Sequence, residues 1–271
     1  MNFVKLLFEL KLENEVFSKY TSLDYIKLEK RIKAERKINN NFSTDAANKL
    51  TKSVKNYPEE LNDFIKEKNL SLIFLGIRHY HKNRNSFSHP NFDVFFDTFL
   101  EEDLTTLFKQ KNAIKDYATL EKIMLYKKYF SFDFENYIKE TLHQKLANAY
   151  FYYSNKPFIK HREYAFLENR AFFKLINHID SATVNSYILN IYNTIVTQIN
   201  HTNYSKYPLK CLIAFAEYKT EDPNFKKTLA KNKDFSVKRL AYLSSKYSFK
   251  EILPLLIIIL WWFLMYLLFD F

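Results

Sequence analysis

The stretch Leu70-Ser71-Leu72-Ile73-Phe74-Leu75-Gly76-Ile77 decides the fold class. Alone, it is a short apolar run that suits either a buried strand or a core helix. Read as a strand it implies a sheet, and sheets need tight turns. Gly76 is the only glycine in 271 residues, so two-residue hairpins are hard to build repeatedly, with asparagine a partial substitute. The flanking segments carry helical periodicity. Phe3, Leu6, Leu7, Leu10 and Phe17 form one apolar stripe, and Leu23, Ile26, Ile32 and Ile38 mark a second, strongly charged helix. Ser43-Thr44-Asp45 is an N-cap cluster for a third, which Pro58 interrupts or restarts. Leu70–Ile77 therefore reads as a core helix, and the chain as an all-α, multi-helix bundle.

The lone glycine also excludes function classes. Phosphate-cradling loops need glycine where the backbone approaches a ligand or takes positive φ. A P-loop, a dinucleotide-binding turn and a kinase-type loop are thus ruled out. Cys211 is the only cysteine, so no internal disulfide can form. No Cys/His set has zinc spacing, and we expect neither metal nor cofactor. The start of the chain is interrupted by charge at Lys5, Glu9 and Lys11. It reads as the first amphipathic helix of a cytoplasmic domain, not a secretory signal.

Beyond Asn112, helices are expected near 116–129, 132–153, 160–178, 181–199, 207–219 and 233–247. Leu146-Ala147-Asn148-Ala149-Tyr150 is faintly similar to a tetratricopeptide first helix, but no second copy recurs at a fixed period. From Ile252 to Phe269 run 18 residues without a charge. As a helix they span about 27 Å, the short end for a membrane crossing. They are apolar on every face, which argues against an amphipathic surface helix. Pro254 falls in the expected first turn, where its missing N–H does no harm. We expect a single C-terminal transmembrane helix; the alternative is a buried core helix. Between Lys206 and Lys250 there are eleven Lys/Arg against four Asp/Glu, a large part of the +11 net charge. Positive flanks stay on the cytoplasmic side, so the N-terminal part should be cytoplasmic and the protein single-pass. The same cations suit anionic headgroups.

One segment gathers reactive groups at a recognisable spacing: Arg84-Asn85-Ser86-Phe87-Ser88-His89. Arg84 is a permanent cation suited to bidentate phosphate binding. His89 exchanges protons near neutral pH and precedes Pro90, which places it at the cap of the next helix. A helix N-terminus disfavours imidazolium and offers N–H groups to an anion. An acid/base group beside a phosphate cation is what metal-free RNA cleavage needs. His79, His81 and His89 make a poor metal set, because two residues apart on a helix do not face one ligand. Arg170 and His178 read as helix-packing and capping residues.

The segment resembles the Arg-Asn-x-x-x-His motif of the HEPN superfamily, helical domains found in many RNA-cleaving toxins and defence proteins. The resemblance implies that Arg84, Asn85 and His89 are catalytic and that two copies meet in a dimer to complete one site. It also implies a role in antiviral defence. The expected organisation is a HEPN-like helical domain over 1–112, a helical domain or extension over 113–247, and a transmembrane anchor over 249–271. Expected partners are the lipid bilayer, a second copy of the chain, RNA and a protein trigger. Two rival readings stay open: an oligomeric pore-forming or membrane-disrupting effector without nuclease activity, and a tail-anchored adaptor subunit of a membrane complex.

Overall fold

A computed structural model describes residues 2–39, 41–77, 90–179, 181–201 and 206–269. Within these, the side chains of 200, 201, 246–253, 255, 256 and 262–269 lie outside the description. Every element among the described residues is helical. The first five are α1 (Phe3–Glu9), α2 (Ser22–Ile38), α3 (Thr44–Asn56), α4 (Pro58–Lys66) and α5 (Lys68–Leu75). A Phe-rich rod follows, made of α6 (Phe92–Phe95), a π-helical turn (Phe96–Leu100) and α7 (Glu101–Ala113). Then come α8 (Tyr117–Ile123), α9 (Phe132–Ser154), α10 (Arg170–Ile176), α11 (Ala182–His201), α12 (Lys206–Phe215) and α13 (Pro223–Phe269). The all-α reading holds, and Leu70–Leu75 is helical with Leu70, Ile73 and Phe74 buried.

Gly76 ends α5 at φ 73°. Its N–H donates to the Ile73 carbonyl (3.1 Å) and the Ile77 N–H to the Leu72 carbonyl (2.9 Å). A Cβ built there meets nothing within 4 Å, so glycine is needed for the left-handed conformation and not for space. Two other helix ends make the same turn without glycine. Lys11 sits at φ 53° after α1 and Lys115 at φ 59° after α7. The bonds repeat: Lys11 N–H to Phe8 (2.9 Å) and Leu12 N–H to Leu7 (3.1 Å), then Lys115 to Asn112 and Asp116 to Lys111. A side chain in this conformation costs roughly 1–2 kcal/mol, partly offset because glycine loses more entropy on folding. Lys11→Gly should therefore stabilise the protein by about 0.5–1 kcal/mol, a rise of roughly 2 °C in melting temperature. Gly76→Ala should lower it by a similar amount.

The chain divides into two compact units, Met1–Thr141 and Leu142–Phe271. The first is built around aromatic rings. Phe64 meets Phe3 (6.3 Å), Phe74 (6.1 Å) and Phe95 (6.3 Å), and Phe95 meets Phe99 (5.4 Å). The π turn has a packing cause. Phe92, Phe95, Phe96 and Phe99 follow one face, whereas Leu100, Leu104 and Phe108 recur every fourth residue, and all are buried. A strict four-residue repeat drifts around an α-helix, and a wider turn absorbs the drift.

In the second unit, two buried tyrosines tie the 155–164 loop to the helices. Tyr207 donates to the Tyr164 carbonyl (2.9 Å) and Tyr153 to the Ile159 carbonyl (2.9 Å). Burial pushes the Tyr153 hydroxyl up to about 12 and raises the Cys211 thiol. Cys211 is fully buried and serves as packing. The single helix expected over 160–178 is not formed. A 3-10 turn (Ala165–Glu168) precedes α10, because Asn169 is extended (φ −100°, ψ 113°) and accepts from the Ala171 N–H. Its cap outcompetes helix continuation across the dense apolar run.

Candidate functional site

Arg84, Asn85 and His89 lie outside the described residues, as do Arg78, His79 and His81. What is described is their setting in the chain. On one side α5 closes at Gly76–Ile77. On the other, Pro90 and Asn91 form a turn and the helix begins at Phe92. The sequence places the first helical residue at Pro90, and the structure starts the helix two positions later. Five buried polar residues of α4, α5 and the junction between them escaped the sequence reading: Glu60, Asn62, Glu67, Asn69 and Ser71. Tyr126 donates to Glu67 Oε1 at 2.9 Å. Their only sequence signal is polarity at positions flanked by Leu61, Phe64 and Leu70. Among the described residues, no group of three His, Cys, Asp or Glu could hold a metal ion.

A cleft of about 620 Å³ opens where α10 meets α11 and α12 meets α13. Its polar groups are engaged with one another. Asn177 donates from Nδ2 to the Glu217 carbonyl and accepts from the Lys219 N–H, each at 2.8 Å. Tyr218 donates to Asn185 Oδ1. These bonds fix the turn that launches α13.

Asp222 and Pro223 set the start of α13. Asp222 Oδ1 accepts from the N–H groups of Asn224 (2.8 Å) and Phe225 (3.3 Å), and proline needs no N–H in the first turn. This strong start lies ten residues before the helix expected at 233. Nothing stops the helix between 247 and 252, so the two helices expected there are one, and Pro254 stands inside it. The early part packs on α12, with Leu229 and Ser236 buried. The end differs. Ile257, Ile258, Ile259, Leu260 and Trp261 are 59, 57, 59, 60 and 60 % exposed. Five consecutive helical residues at 100° each point around the whole circumference. An apolar helix is therefore bare on every face there. Among the described residues, no helix is long and apolar enough to cross a membrane, and most side chains of 252–269 lie outside them.

No family model, curated protein or solved structure matches this chain.

Proposed function

We propose that this protein is held in a membrane by the C-terminal part of α13, with the chain that precedes it on the cytoplasmic side. The observation that carries this reading is the exposure of Ile257–Trp261 on all faces of one helix. A buried core helix needs a covering surface, and none of the described residues supplies one. Fully removing such a side chain from water gains roughly 1.5–3 kcal/mol. A bilayer provides that around the entire helix. Lys238, Arg239, Lys246 and Lys250 precede the apolar run and favour retention of the flank in the cytoplasm. Alkaline extraction of membranes tests it. The full chain should remain in the membrane pellet, and a chain lacking 249–271 should be released. Extraction of the full chain would overturn the reading.

A second reading concerns what the anchored units do. Arg84, Asn85 and His89 act on RNA, Arg84 binding phosphate, His89 moving the proton and Asn85 orienting the group, with a second copy completing the site. The favouring observation is the setting: the segment joins α5 to a Phe-rich helical rod within an all-helical unit. Arg84→Ala and His89→Ala should each reduce RNA cleavage by the purified protein by roughly 10²-fold or more. Cleavage should survive removal of 249–271. Equal cleavage by variants and wild type would refute this role. Liposome leakage that requires 249–271 but neither residue would identify a pore instead.

A further inference from the structure

The helix α2 carries a second surface that the anchor does not explain. Its inner side meets the unit lightly, through one buried residue and a few polar tethers. Leu28 is buried, the Tyr25 hydroxyl donates to the Val54 carbonyl (3.4 Å), and Arg31 pairs with Glu15 (3.5 Å). At the C-terminal end, Asn39 Nδ2 donates to Glu9 (3.0 Å) and Glu35 (3.0 Å). Leu28, Tyr25 and Asn39 thus mark the side of α2 that faces its unit.

The outer side has an unusual composition. At 100° per residue, Leu23, Ile26, Lys27, Lys30, Lys33, Lys37 and Ile38 fall within a sector of about 140°. No acid shares it: Asp24, Glu29 and Glu35 all fall elsewhere on the helix. Leu23, Ile26 and Ile38 are 60, 50 and 77 % exposed. Lys27 reaches Asp24 at the sector's edge (3.2 Å), while Lys30, Lys33 and Lys37 make no ion pair among the described residues. Exposed leucines scattered singly need no explanation. Three large aliphatics on one face about 23 Å long, interleaved with four lysines, form a patch.

We propose that this face of α2 lies on an anionic lipid surface, a second membrane contact for the N-terminal unit. Leu23, Ile26 and Ile38 enter the headgroup boundary, and the lysine stems lie along it with their ammonium groups at lipid phosphates. The inference rests on the anchoring reading, which keeps lipid within reach of the unit at high effective concentration. A soluble polyanion would use the lysines but would leave the three aliphatics in water. That is why lipid is preferred to nucleic acid.

The test uses the full chain in lipid nanodiscs of phosphatidylcholine, with and without phosphatidylserine. Ile26→Cys takes an environment-sensitive fluorophore; the native Cys211 is fully buried and should stay unlabelled. Arg36→Cys, on another side of α2, is the control. Label at 26 should shift to the blue only in discs containing phosphatidylserine, and label at 36 should not shift. Exchanging Lys27, Lys30, Lys33 and Lys37 for glutamine should lower the bound fraction ratio by roughly 10²–10³-fold. Identical emission in both discs overturns the proposal. So does a shift produced by single-stranded RNA in phosphatidylcholine discs, which would assign the face to nucleic acid. Co-elution with the disc reports anchoring separately. If the chain stays out of the discs, phosphatidylserine vesicles decide, and no shift there refutes the role of α2.

Discussion

Phe95→Ala should unfold the N-terminal unit under mild denaturant while the second unit keeps its helices. Phe95 is fully buried and its ring meets Tyr57 (6.2 Å), Phe64 (6.3 Å), Phe92 (5.6 Å) and Phe99 (5.4 Å). Truncating such a phenylalanine costs roughly 3–5 kcal/mol, and ring pairs add about 0.5–1.5 kcal/mol beyond area. A domain has only about 5–15 kcal/mol to lose. Phe95→Leu should recover most of the loss. Phe132→Ala is the comparison, since Phe132 is 78 % exposed and should change stability by under about 0.5 kcal/mol. Denaturant titration followed by circular dichroism reads all three. A Phe95→Ala midpoint equal to that of Phe132→Ala would contradict this description of the core.

Ile258→Arg with Leu260→Arg should detach the protein from membranes. An arginine near the centre of an inserting helix costs roughly 2.5–3.5 kcal/mol, so two cost about 6 kcal/mol. In water the same substitutions replace side chains that are already 57 and 60 % exposed, so the helical units should melt unchanged. The contrast separates a bilayer helix from a core helix. Burial in a core would make the double variant lose stability and not location. Membrane fractionation beside a melting curve distinguishes the two outcomes.

Local signals in this chain are readable where one residue type dominates a position. Ser43 caps α3 and accepts from the Ala46 N–H, and Pro58 opens α4, both as the sequence suggested. The helical surroundings resolved the ambiguous Leu70–Ile77 run, and Gly76, which ends that helix at positive φ, was a further signal the sequence reading left unused. Lys11 and Lys115 make the same end with no signal at all. Tertiary packing there overrides the preference for glycine. Density of apolar residues misled at 160–178: Phe166, Leu167, Phe172 and Phe173 are all buried, yet the chain is extended at Asn169 between them. Continuity misled at α13, where a helix expected over 233–247 and a separate one from Ile252 are a single uninterrupted helix that starts at Pro223.

The outer face of α2 shows a different limit. In the sequence, Leu23, Ile26, Ile32 and Ile38 mark one strongly charged helix without saying which of them it buries. Ile32 lies half-buried with buried Leu28 on the inner side, while Leu23, Ile26 and Ile38 point outward. Periodicity detects an apolar pattern but not which of two faces the fold covers, and here it merged both. The Arg84-Asn85-His89 motif was legible as chemistry.

Protease protection tests the central claim most directly. Proteinase added to sealed inside-out membrane vesicles reaches the cytoplasmic face. Anchoring by α13 predicts that both helical units are digested, leaving a protected fragment of about 20 residues that begins near Lys250 and disappears when detergent is added. Complete digestion without detergent, or protection of the helical units themselves, would contradict it.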